Sequence, residues 1–69
     1  MKLEVGDLVR HRHHPHICGV VMMVATTLKG ENVCDVLITI NAVHPKTIGT
    51  VKYLNQVYWN KVEDEDSKT

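Results

Sequence analysis

The run Val20-Val21-Met22-Met23-Val24 is apolar at every position and lies within a longer stretch, Ile17 to Thr27, that has no helical period. In an extended chain neighbouring side chains alternate between two faces. A strand that reads apolar on both is therefore either covered on both sides or bent sharply across a small barrel. The longest apolar run, Val20 to Ala25, is far shorter than the roughly 18 residues that a membrane helix needs. At 69 residues there is room for one domain. A domain of this size buries only about 60% of the surface its unfolded chain exposes, so its stability should be small, on the order of 5 kcal/mol. Closing the sheet, oligomerising or binding a partner would each add to it.

The core has to be built from Val, Ile, Leu and Met, because Phe is absent and Tyr53, Tyr58 and Trp59 are the only aromatics. β-branched residues dominate that list and favour strands. A first strand is predicted over about Asp7 to His11, entered through a turn or bulge at Gly6-Asp7. Arg12-His13-His14-Pro15-His16 then forms a loop, since Pro15 lacks a backbone donor and restricts His14. The second strand runs from about Ile17 to Thr27. Lys29-Gly30-Glu31-Asn32 turns it into a third, Val33 to Ile40, as an antiparallel hairpin. In that third strand Cys34, Val36, Ile38 and Ile40 share the face expected to meet the core. Asn41 to Lys46 is a second loop, Thr47 to Tyr53 a fourth strand with a bulge or kink at Gly49, and Leu54-Asn55-Gln56 a short connection. Val57-Tyr58-Trp59 forms a last strand or turn that can close the sheet. The fold expected is all-β, with an ordered domain over residues 1–62 and a disordered acidic tail over 63–69.

Eight Lys and Arg balance eight Asp and Glu. Zero net charge argues against an affinity that comes mainly from neutralising phosphates. The charge is nevertheless uneven: Lys2, Arg10, Arg12 and Lys29 fall in the first thirty residues with four histidines, and the chain ends near Glu63-Asp64-Glu65-Asp66. Two cysteines, Cys18 and Cys34, are too few for a disulfide scaffold, and no signal peptide precedes them. The setting expected is intracellular.

The spacing Gly6-Asp7-x-Val9 with Gly19-x-Val21-x-x-Val24 resembles the first hairpin of SH3-like barrels, including the KOW modules of ribosomal and transcription factors. It is more similar still to small "Gly-Asp-Leu-Val-Arg" proteins of tailed bacteriophages, in which a first strand, a variable loop, Gly-Val-Val and a later Val-x-Trp strand recur. The resemblance covers most of residues 4–63. It implies a small SH3-like barrel of four to five antiparallel strands and a phage origin, with the protein in the host cytoplasm or the virion. The loop Arg12-His13-His14-Pro15-His16 departs from the KOW pattern, which carries an extra glycine and basic residues there.

Four histidines, His11, His13, His14 and His16, form the most individual feature. Residues two apart on an extended chain point the same way, so His11 with His13, or His14 with His16, could share a metal ion. Cys18 could add a thiolate, and Cys34 and His44 are the distant candidates for completing such a set. The alternatives are a solvated, adaptable loop, which is the better supported, and a loop that contacts a partner; exposed imidazoles there would add charge beside Arg10 and Arg12 as the pH falls toward 6. Cys18 and Cys34 read as small core residues. Of Tyr58 and Trp59, one must face outward if both lie on a strand, and the plainer expectation is that Trp59 plugs the barrel while Tyr58 lies half exposed at the rim. SH3-like barrels hold extended peptides on such aromatics, and nucleic-acid binders stack bases on them.

No catalytic constellation is visible, so the function expected is a non-enzymatic interaction module without a cofactor. Its protein partner, from host or virion, would meet Arg10, Arg12, His13, His14, His16, Tyr58 and Trp59. Two alternatives stand beside it: a nucleic-acid-associated factor of the KOW type, and a small structural virion component that buries its second apolar face in a homo-oligomer. No membrane association is expected.

Overall fold

The computed structural model describes residues 3–62 and is all-β. Five strands form one antiparallel sheet: β1 (Leu8–His11), β2 (Ile17–Thr26), β3 (Asn32–Asn41), β4 (Val51–Asn55) and β5 (Trp59–Lys61). Their order is β4-β3-β2-β1-β5, so the first four strands form a meander and the fifth returns beside β1. Among the described residues no helix is long and apolar enough to cross a membrane. The predicted acidic tail, residues 63–69, lies outside the described residues.

Three turns set this path. Glu4 to Asp7 is a tight turn closed by Asp7 N–H donating to Glu4 O, with Gly6 supplying a φ of 95° that other residues resist. The Asp7 carboxylate also accepts from Glu4 N–H at 2.9 Å, which explains the Gly-Asp pair at the strand entry. His14-Pro15-His16-Ile17 is a second turn, with proline at the position whose φ it presets and Ile17 N–H donating to His14 O at 2.8 Å. The β2–β3 hairpin turns through Thr27 to Gly30, as the glycine there predicted, with Gly30 N–H on Thr27 O.

Two register shifts between β2 and β3 explain the strand that read apolar on both faces. Ladder partners run Val21 with Val36 and then Met23 with Asp35, which leaves Met22 as an extra residue in β2. They run Cys18 with Ile40 and Gly19 with Ile38, which leaves Thr39 extra in β3. Each extra residue bends the strand and flips the side-chain pattern beyond it. Ile40, expected inside with Cys34, Val36 and Ile38, is thereby turned out and is 55% exposed, while Asn41 turns in. Met22 and Met23 are exposed for the same reason; β2 is bent, and among the described residues nothing covers these side chains on its outer side.

Leu3, Val9, Val21, Cys34, Val36, Ile38 and Trp59 form the core, with Ile17 and Leu54 packed against it. Leu54 comes from β4 and Trp59 from β5, the two edges of the sheet, so the sheet curls until both edges meet one core. The curl does not become a closed barrel, because among the described residues no ladder joins β4 to β5. Gln56 bridges part of the gap: its Oε1 accepts from Leu3 N–H and its Nε2 donates to Val33 O, both at 3.2 Å. The fourth strand begins later than expected. Pro45–Thr47 forms a short 3-10 turn, Gly49 N–H donates to Ile38 O, and β4 extends through Leu54 and Asn55, the residues expected to form the connection.

The outer face of the sheet carries a row of ladder partners, Leu8, Val20, Leu37 and Val51, one from each of four strands. Leu8 and Val51 are more than half exposed. Cys18 and Arg10 lie on this same face, whereas Cys34 is in the core, where burial first and the neighbouring Asp35 second raise its thiol pKa. Cys18 is therefore half-buried on the outside and not the core residue expected.

Candidate functional site

Val9 and His11 alternate inward on β1, and His11 pairs with Trp59 on β5. The strand ends at His11, and the proline turn then folds His13, His14 and His16 back over the mouth of the sheet. The closest imidazoles are consequently His11 and His14, with ring centroids 4.8 Å apart. The pairs expected from two-residue spacing are farther apart, at 6.2 Å for His11 with His13 and 5.8 Å for His14 with His16. That spacing argument holds for a continuous strand, and the turn interrupts it.

Opposite these rings the 3-10 turn Gln56–Tyr58 presents Tyr58, whose ring lies 6.2 Å from His11 and 6.0 Å from His13. The turn is capped by Asn55 Oδ1 accepting from Val57 N–H, and Arg12 N–H donates to Tyr58 O at 2.7 Å, so loop and turn are held together through backbone. A third wall comes from the loop after β3. Buried Asn41 donates from Nδ2 to Thr47 Oγ1 and accepts at Oδ1 from His44 N–H, which fixes Val43 and His44 beside the cleft. From β4, Lys52 and Leu54 alternate inward with the core, as partners of Val36 and Cys34.

Together these elements enclose a cleft of about 590 Å³. Its walls carry all five imidazoles of the chain, the phenol of Tyr58, the ammonium of Lys52 and an apolar floor of Ile17, Val43 and Leu54. None of the described residues lining it is acidic. Sites of this size and mixed character suit a small ligand or a few residues of a peptide.

His11 is the innermost ring, 7% exposed and edge-on to Trp59 at a centroid distance of 5.1 Å. Its Nδ1 accepts from His13 N–H at 3.1 Å, which requires an unprotonated Nδ1 and favours the neutral ring. Burial, and then the charges of His14, His13, Lys52 and His16, hold its pKa below the ordinary value of 6.5. Because the folded protein binds this proton less readily than the unfolded chain, the stability His11 contributes is complete above about pH 6.5 and is lost as pH falls below it. The urea midpoint should therefore drop from about pH 7.5 to about pH 5.5. His11→Asn, which keeps an acceptor but cannot titrate, should flatten that drop, and an unchanged slope would assign it to other groups.

Of the residues expected to meet a partner, His13, His14, His16 and Tyr58 line the cleft, and Arg10 and Arg12 do not. Trp59 is 3% exposed and belongs to the core, so Tyr58 is the exposed aromatic of the pair. Its indole N–H is buried without an acceptor among the described residues. Among the described residues no three His, Cys, Asp or Glu side chains converge closely enough to hold a metal ion, His11, His13, His14 and His16 included. Sequence reasoning missed Lys52 and Leu54 as parts of the site and considered His44 only as a distant ligand. The inward alternation of β4 could have signalled the first two once the strand was placed at Val51–Asn55. No family model, curated protein or solved structure matches the chain.

Proposed function

We propose that the protein is a non-enzymatic interaction module that holds a segment of a protein partner in the imidazole cleft. The observation that carries this reading is the cleft itself: an apolar floor, an exposed tyrosine and five hydrogen-bonding rings, walled by three loops on a rigid sheet. Apolar floor with a few convergent polar groups is the common make-up of binding sites, and loops on a fixed scaffold commonly carry recognition. Following the resemblance in its first hairpin, the partner would be a host or virion protein and the module phage-encoded. Arg10 and Arg12 lie outside the cleft, which weighs against a nucleic-acid edge built from them together with the histidines.

Affinity capture from a bacterial host lysate tests this. Tyr58→Ala combined with His13→Ser and His14→Ser removes exposed groups only, so the circular dichroism should be unchanged while a specifically captured protein is lost. Retention of the same protein by the folded variant would place the binding surface elsewhere.

A second reading, a small structural component, has an observation of its own in the outer row Leu8, Val20, Leu37 and Val51. A contiguous apolar face of that kind suits burial between copies. It requires a stable oligomer at neutral pH, and a monomer in sedimentation would remove it.

A further inference from the structure

The same cleft has a charge character that the rest of the chain complements. Apart from the phenol of Tyr58, every ionisable side chain among the described residues that line it is an imidazole or an ammonium. His11 stands on β1 and His13, His14 and His16 in the loop after it, His44 in the loop after β3, and Lys52 on β4. Among the described residues no carboxylate lines the cleft to neutralise them. Lysine ammonium groups as a class are cations at neutral pH, and imidazoles as a class take up protons around pH 6.5 and below. A cleft of this kind selects carboxylates, through charge-assisted hydrogen bonds from imidazolium N–H groups and the lysine ammonium.

The chain contains such a ligand in Glu63-Asp64-Glu65-Asp66, four consecutive carboxylates directly after the described domain. The direction of β5 favours the cleft of another copy. β5 runs antiparallel to β1, from Trp59 beside His11 to Lys61 beside Val9, and Val62 N–H donates to Leu8 O. The chain thus leaves the sheet at the end away from the cleft, about 10 Å from the level of His11 at about 3.3 Å per residue. Four extended residues span about 13 Å. To reach its own cleft the segment would have to reverse at once and spend most of that length returning along β5. A neighbouring molecule's cleft imposes no such reversal.

We propose that the acidic segment Glu63–Asp66 of one copy docks in the imidazole cleft of another copy when that cleft takes up protons, giving head-to-tail self-association switched on by acidification. This rests on the reading of the cleft as a binding site and names one occupant for it. A partner segment using the same cleft would carry carboxylates and compete with the tail. Because tail and cleft are different surfaces, the contact is heterologous and propagates unless the rotation between copies closes a ring.

Sedimentation velocity of the full chain over a concentration series at about pH 8 and about pH 5.5 tests the proposal. Association is expected to strengthen at least about ten-fold at the lower pH and to weaken with added salt. The variant Glu63→Gln, Asp64→Asn, Glu65→Gln, Asp66→Asn should remain monomeric at both. A synthetic peptide of residues 62–69 should move the imidazole NMR signals of this variant at about pH 5.5 and should dissociate the self-associated full chain. Absence of association at the lower pH, or association that the tail substitutions leave intact, overturns the proposal. Imidazole shifts that depend on the tail but not on protein concentration overturn it as well, by placing the segment in its own cleft. If the free peptide moves the imidazole signals while no self-association occurs, the head-to-tail contact is wrong and the cleft remains a binding site.

Discussion

Replacing Trp59 by alanine should abolish the fold under ordinary conditions. Trp59 is the one large aromatic in the core, 3% exposed on β5, and it joins the returning edge strand to residues of β1, β2 and β3. Truncation of a buried aromatic to alanine costs about 3 to 5 kcal/mol, and a domain of this size has on the order of 5 kcal/mol in all. β5 has three residues, and among the described residues its ladder to β1 is the one joining it to the sheet, so little else there would hold it once the indole is gone. Loss of dispersed amide NMR signals at 25 °C is the expected readout. A cooperative unfolding transition lowered by less than about 1 kcal/mol would show that the core closes without the indole.

Gly19→Ala should have an effect of comparable size by the opposite mechanism, overfilling. A Cβ at position 19 would collide with the carbonyl oxygen of Leu37 and come within 2.5 Å of Val36 Cγ1. The first obstacle is backbone of the neighbouring strand, which cannot rotate aside, so β2 and β3 would have to separate at the centre of the sheet. Overpacking costs typically 1 to 3 kcal/mol, and collision with backbone in the longest ladder of the sheet should bring it to about 3 kcal/mol or more. Gly30→Ala is the control. Its φ of 86° also disfavours alanine, but a Cβ there meets nothing within 4 Å, so a loss of only about 1 to 2 kcal/mol is expected. Urea unfolding of the two variants side by side distinguishes them, and equal losses would refute the close-approach account.

Trp59 and its neighbour Tyr58 also show how far the candidate site was legible before the fold. Trp59 and Tyr58 are neighbours, and alternation alone says that their environments differ without saying which is inside. The 3-10 turn over Gln56–Tyr58 settles it by ending at Tyr58, so that β5 begins with Trp59 inward beside His11. The histidine count pointed to the loop that lines the cleft. It could not show that His11 and His14 would be the nearest pair, because that depends on the turn at Pro15 breaking the strand's two-residue period. His44 and Lys52 join the site from separate elements, one held by Asn41 and the other aligned by the β3–β4 ladder. Nothing local in their own segments announces either.

By itself the sequence determined the all-β class, the hairpin at Gly30, the turn at Gly6-Asp7 and the position of the imidazole loop. Each of these follows from short-range chemistry: β-branched residues with a period of two, glycine where φ must be positive, proline where φ is preset. Only the tertiary structure decided that the sheet curls without closing, that Ile40 faces out, that the β3 backbone approaches closely at Gly19, and that five imidazoles share one cleft. All four depend on register. A single extra residue at Met22 or Thr39 reverses every side chain beyond it, and a strand's partner across the ladder, not its own pattern, fixes where such a residue is tolerated.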